Sequence, residues 1–169
     1  MKTVNKKMIA ARVLFLLYLA VLFYLLFFSV FAGRTEVYQE YHYNFIPFEE
    51  IRRYLELSKS GGTFVRLFNV EGNVLAFLPF GFFLPLLWAR CRKVWITVLL
   101  TACFSFCVEV LQLITRVGSC DIDDVILNTL GGTIGYLLYL LFALVMRRVQ
   151  KAHAGKEQEG TTQEEQAAR

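Results

Sequence analysis

The sequence predicts an all-α fold, an integral membrane four-helix bundle with an extracytoplasmic amphipathic helix between spans one and two. Three observations carry this expectation. Hydrophobic residues make up 56% of the chain and charged residues only 19%, whereas a soluble domain holds roughly 45–50% and about 25%. The apolar excess gathers in four runs at or near the length of a hydrocarbon crossing. Unbalanced basic clusters flank those runs on alternate sides, while the opposite long loop, 33–72, holds five basic and six acidic residues, as expected of cytoplasmic and opposite flanks of membrane spans.

The first run covers 13–31 and reaches about 28 Å at the helical rise per residue. Lys2, Lys6, Lys7 and Arg12 precede it. A basic head before an apolar stretch also describes a cleaved leader, with Val30 and Ala32 at suitable small-residue positions. The run exceeds the usual leader core of roughly 7–15 residues, which favours an uncleaved anchor. The second run, 73–88, contains Pro79 and Pro85. Each removes a backbone donor and crowds the preceding turn, so a kinked or partly irregular span is expected, its freed carbonyls satisfied inside the bundle. The third, 94–114, is interrupted by Ser105, Glu109 and Gln112. The fourth, 125–146, carries Asn128, Gly131, Gly132 and Gly135 near its start. Gly131 and Gly135 form a GxxxG, which permits close helix packing.

Lys2 to Arg12, the loop with Arg90, Arg92 and Lys93, and the segment with Arg147, Arg148 and Lys151 fall on one side of four spans. The expectation is a multi-pass protein of the cell membrane with both termini cytoplasmic. A transmembrane domain then occupies 1–149, and 150–169, rich in Glu, Gln, Gly, Ala and Thr, is a disordered cytoplasmic tail. In the long opposite loop Pro47 suits a first helical position. Phe48, Ile51 and Leu55 share a face beyond it, Glu49 can pair with Arg53, and Gly61 and Gly62 offer a stop. This helix would lie on the membrane surface or roof the bundle.

The basic residues sit beside hydrophobic segments, so no nucleic-acid partner is expected. The four cysteines show no CxxC spacing and both histidines are distant from them, which argues against a zinc site or disulfide framework. Neither a phosphate-binding loop nor a dinucleotide fingerprint is present, and no cofactor is expected.

Polar residues concentrate at the ends of the spans away from the basic flanks. Ser105, Glu109, Gln112 and Arg116 are spaced four, three and four, which confines them to a stripe about 60° wide on one helix face. A glutamate within a span must face the bundle interior or a wet cavity. Asp121, Asp124 and Asn128 repeat the spacing on the neighbouring helix, with Asp123 between. One aspartate, Asp121 above all, is explained as a helix cap; three exceed what a cap requires. Asn73, four residues after Asn69, is a further contributor from span two. Four carboxylates against Arg116 at one surface suit a cation, an amine or a hydrogen-bonded head group. Clustered carboxylates suit Mg²⁺ or Ca²⁺, but nothing in the sequence demands a metal and none is predicted.

Four segments carry a resemblance. They are Asn44-Phe-Ile-Pro-Phe, the stretch from Asn73 to Pro85 with Pro79 and Gly81, Ser105 to Gln112 followed by Arg116, and Asp121 to Tyr136. Their order and spacing resemble the VanZ-like membrane protein family. The resemblance implies a membrane location and a link to tolerance of the glycopeptide teicoplanin at the cell envelope. It marks Asn73, Pro79, Gly81, Glu109, Gln112, Arg116, Asp121, Asp123, Asp124 and Asn128 as family-typical positions, and it implies no particular reaction.

The leading expectation is a protein that binds an envelope-associated ligand at its extracytoplasmic face through Asn73, Glu109, Gln112, Arg116, Asp121, Asp123, Asp124 and Asn128. Its partners would be the lipid bilayer and a lipid-linked envelope precursor or a glycopeptide antibiotic. The alternatives are an enzyme that modifies such a precursor with Glu109 or Asp124 as general base, and a structural scaffold whose polar groups only satisfy one another.

Overall fold

The computed structural model describes residues 6–28, 41, 43–49, 51–53, 56 and 64–167, with backbone alone at 64–70 and 153–167. Four helices dominate: α1 (Lys6–Phe28), α2 (Phe64–Leu87), α3 (Val94–Thr115) and α4 (Ile122–Ala167). A 3₁₀ turn, Ala89–Arg92, links α2 to α3. Two short strands, β1 (Tyr43–Asn44) and β2 (Cys120–Asp121), pair in parallel, Tyr43 opposite Cys120 and Asn44 opposite Asp121. Three helical segments, Lys6–Phe28, Val94–Thr115 and Ile122–Ala152, are long and apolar enough to cross a membrane, and Glu71–Leu87 is a shorter apolar helix.

The burial pattern is inverted relative to a soluble protein. Leu16 and Leu17 of α1, Leu99 and Ile114 of α3, and Leu137 and Leu141 of α4 are exposed. Thr97, Thr101, Ser105, Glu109, Gln112, Asp121, Asp123 and Asn128 are buried. Hydrocarbon around the bundle accounts for both halves of the pattern, since polar groups must then be satisfied inside.

Packing centres on α2 against α4 and rests on glycine. A Cβ on Gly81 would collide with the Gly132 carbonyl, one on Gly131 with that of Val74, and one on Gly135 with that of Leu78. The two backbones therefore run in direct contact, as the GxxxG spacing predicts. α1 adds an aromatic seam in which Phe15 joins Phe80, Leu84, Leu87 and Cys91, and Phe80 stacks on Phe104 of α3 at 4.7 Å. Tyr18 donates to the Ala76 carbonyl at 2.7 Å and Tyr136 to that of Arg92 at 2.6 Å. Phe15 near the start of α1 meets the C-terminal end of α2, while Gln112 near the end of α3 donates to Leu26 near the end of α1. Lys6, Lys7, Arg90, Arg92, Lys93, Arg147 and Arg148 thus lie toward one end of the helices, and Glu109, Asp121, Asp123 and Asp124 toward the other.

Three sequence expectations are corrected. α2 begins at Phe64, not 73, and remains helical through Pro79 and Pro85; packing along α4 holds a backbone that isolated prolines would interrupt. The segment 150–167 is helical, not disordered. It extends a helix already formed, so no nucleation cost opposes it, and its Ala, Gln, Glu and Lys residues are good helix formers. Phe48 does not join the face of the loop helix: its φ is 66°, so it forms a left-handed turn ahead of helical backbone at 49 and 51–53. The expected Glu49–Arg53 pair is present at 2.8 Å. Leu55, Gly61 and Gly62 lie outside the described residues, as do Lys2, Val30 and Ala32.

Candidate functional site

α3 turns its polar face inward. Its buried residues are Thr97, Thr101, Ser105, Val108, Glu109 and Gln112, recurring every three or four positions as one helix face does. The inner pair is satisfied locally, Thr97 donating to the Cys91 carbonyl at 2.7 Å and Thr101 to the Thr97 carbonyl at 2.8 Å. The outer half reaches across to other elements. Ser105 Oγ accepts from Asn128 Nδ2 of α4 at 2.8 Å. Glu109 Oε2 accepts the Asp121 N–H at 3.1 Å. Gln112 Nε2 donates to the Leu26 carbonyl of α1 at 2.9 Å.

Exposure falls to 2% at Glu109, 0% at Gln112 and 1% at Asn128. Both amides have only one end occupied: Gln112 Oε1 and Asn128 Oδ1 have no hydrogen-bond partner. A buried acceptor without a donor costs about 1–3 kcal/mol, and native interiors rarely leave two in one cluster.

The aspartates at the start of α4 hold the surrounding elements in place. Asp121 Oδ1 accepts the Asp123 N–H at 2.8 Å, the expected helix cap, and Oδ2 accepts from Asn44 Nδ2 at 3.4 Å. Asp123 is fully buried. Its two oxygens accept the N–H groups of Phe48 at 2.6 Å and Ile51 at 3.2 Å. A carboxylate of α4 therefore caps the short helical turn of the strap, the segment 43–53. Asp124 Oδ1 accepts from Asn73 Nδ2 at 2.5 Å and ties α4 to α2. Arg116 ends α3 in a left-handed conformation with φ 55°. Its guanidinium lies 4.4 Å over the Tyr41 ring, with a nitrogen 3.2 Å from the Tyr41 hydroxyl. Beneath the strap, burial pushes the Cys120 thiol above its ordinary pKa, and the negative charges of Glu109, Asp121 and Asp124 push it further.

The residues read from the sequence as one site gather at one end of the helices, where Glu109 bonds to Asp121, Asn128 to Ser105, Asn73 to Asp124 and Gln112 to α1. Arg116 stands at the edge of this group, engaged by Tyr41. Three contributors escape a reading by residue type. Asn44 holds Asp121 from the strap, and the amides of Phe48 and Ile51 have no side-chain signature. Thr97 and Thr101 extend the α3 stripe inward; the successive four-residue steps from Thr97 to Thr101 to Ser105 are the available signal. Among the described residues no group of three or more His, Cys, Asp or Glu side chains is arranged to hold a metal ion.

A family model described as VanZ/LLP1 matches residues 15–143. The chain belongs to the VanZ-like family. It is 31% identical over 137 residues to Protein VanZ of Enterococcus faecium, an alignment that covers 78% of this chain and 74% of that protein. No solved structure matches the chain. The VanZ-like region contains every residue of the candidate site, from Asn44 to Asn128, together with the glycines that seat α2 on α4.

Proposed function

We propose that this VanZ-like protein is a four-helix protein of the cell membrane that binds an envelope-associated ligand at its extracytoplasmic end and so contributes to tolerance of teicoplanin. The transmembrane domain comprises 1–149, with 150–169 on the cytoplasmic side. The clustering of basic residues at one end of the bundle supports this orientation, because basic flanks favour the cytoplasm. The strap is then extracytoplasmic.

The observation that carries the ligand reading is the pair of unpartnered acceptors, Gln112 Oε1 and Asn128 Oδ1, in a buried cluster with Glu109. A scaffold whose polar groups only satisfy one another would not leave them open. A ligand carrying N–H or O–H donors, such as an amine or a polar head group, supplies what they lack. The catalytic alternative is less well served. Glu109 spends one oxygen on the Asp121 N–H, and Asp124 spends one on Asn73.

The test is teicoplanin susceptibility of cells producing the wild type, Glu109→Gln or Gln112→Ala at matched membrane levels. Both variants are expected to lose the protection the wild type gives. Protection that survives in both rejects the reading. Turnover of a lipid-linked precursor by the wild type, abolished by Glu109→Gln, would favour catalysis instead.

A further inference from the structure

The strap has two unlike edges. Its inner edge is polar and held: the β1–β2 pairing, Asn44 on Asp121, and the Phe48 and Ile51 amides on Asp123. Its outer edge is apolar and uncovered. Tyr43, Phe45, Ile46 and Phe48 are each 60–65% exposed, four large apolar side chains within six residues. Tyr43 and Phe45 alternate on extended backbone and so point to the same side, and their rings stack at 5.4 Å. The left-handed turn at Phe48 directs its N–H to Asp123 while its ring stays exposed.

Such a patch facing water would be an aggregation liability or a docking surface. Its position in the fold selects the partner. β1 pairs with the connection between α3 and α4, so the strap sits where those helices end. At the same level Leu111 and Ile114 on the last turns of α3 and Phe28 at the end of α1 are exposed and apolar. The patch and these exposed apolar side chains thus lie at the same end of the helices. Rings with one polar edge, such as Tyr43 and Tyr41, concentrate at the headgroup layer. The ion pairs Glu49–Arg53 and Arg52–Glu56 follow immediately on exposed positions, where head groups and water meet.

We propose that the outer face of the strap, Tyr43, Phe45, Ile46 and Phe48, docks into the headgroup layer of the bilayer, with the lipid surface as its partner. The polar inner edge and the apolar outer edge then fix the strap between bundle and membrane. This holds whether or not the buried cluster binds a ligand, and whichever leaflet the strap meets.

The full chain with Phe45→Trp, in a background where Trp88 and Trp95 are replaced by Phe, is reconstituted into vesicles of phosphatidylethanolamine and phosphatidylglycerol. A parallel protein carries Ile46→Trp instead, so that one misfolded variant does not decide the outcome. The docked strap predicts loss of most of the indole fluorescence when lipids with a headgroup nitroxide are included, and little loss with aqueous iodide. Iodide quenching equal to that of free tryptophan places the face in water and overturns the proposal. Protection from both quenchers at both positions also overturns it, because protein, such as a second copy of the chain, would then cover the face.

Discussion

Replacing Asp123 by Ala removes the carboxylate that accepts the Phe48 and Ile51 N–H groups. Hydrogen bonds to a charged group are worth about 1.5–3 kcal/mol each, so the gross loss is about 3–6 kcal/mol. Release of the strap recovers part of this, because a non-glycine residue in the left-handed region carries about 1–2 kcal/mol of strain. A net of about 2–4 kcal/mol raises the population of the undocked strap roughly 30- to 700-fold, at about 1.4 kcal/mol per decade. Cys120 reports this directly: it is buried and its strand pairs with Tyr43. In a background with Cys91, Cys103 and Cys107 replaced by Ser, a membrane-impermeant maleimide is expected to label Cys120 slowly in the otherwise native chain. Asp123→Ala should label at least tenfold faster, and Asp123→Asn, which retains one acceptor oxygen, at an intermediate rate. A chain keeping only Cys91, buried at the opposite end, should stay protected in permeabilised membranes and so report global unfolding separately. Unchanged labelling of Cys120 in Asp123→Ala, with Cys91 still protected, would refute the latch.

Gly81→Ala and Gly135→Ala place a methyl group against backbone of the facing helix. Each should lower thermal stability by about 1–3 kcal/mol or more, measured as a fall in unfolding temperature in detergent. Gly72→Ala, with nothing within 4 Å of its Cβ, should leave stability unchanged or raise it by a few tenths to about 1 kcal/mol. Asn73→Ala withdraws the donor from Asp124 and should destabilise by about 1–3 kcal/mol; Asn73→Asp, which sets two carboxylates face to face, should cost more in the same assay. Ser105→Ala deprives the Asn128 amide of its partner and should cost about 1–3 kcal/mol. Unaltered stability would show that the pair does not hold α3 to α4.

The legible parts of the fold are those where one periodicity dominates. α3 runs Val94–Thr115 against an expected 94–114 because every polar interruption falls on one face. The start of α2 was obscured because Asn69 and Glu71 break the apolar run, while the helix continues back to Phe64. Asp121 was readable as a cap because the interaction is local. The sequence singles out Asp123 as one of a cluster of carboxylates but not as a latch, since its partners are backbone amides 75 and 72 positions away. Any residue but proline supplies such an amide, so no pattern of side chains announces it. Phe48 was misplaced for a related reason. Its apolar side chain fits a helix face, but capture of its N–H by Asp123 draws it into a conformation that propensity disfavours.

Gln112 and Asn128 carry the central claim, since their open oxygens separate a ligand site from a self-satisfied scaffold. The most direct measurement is native mass spectrometry of the protein extracted with its surrounding membrane, comparing wild type, Glu109→Gln and Gln112→Ala. A discrete adduct beyond bulk phospholipid on the wild type, lost from both variants at equal unfolding temperature, is the predicted result. Identical spectra from all three proteins would contradict the account.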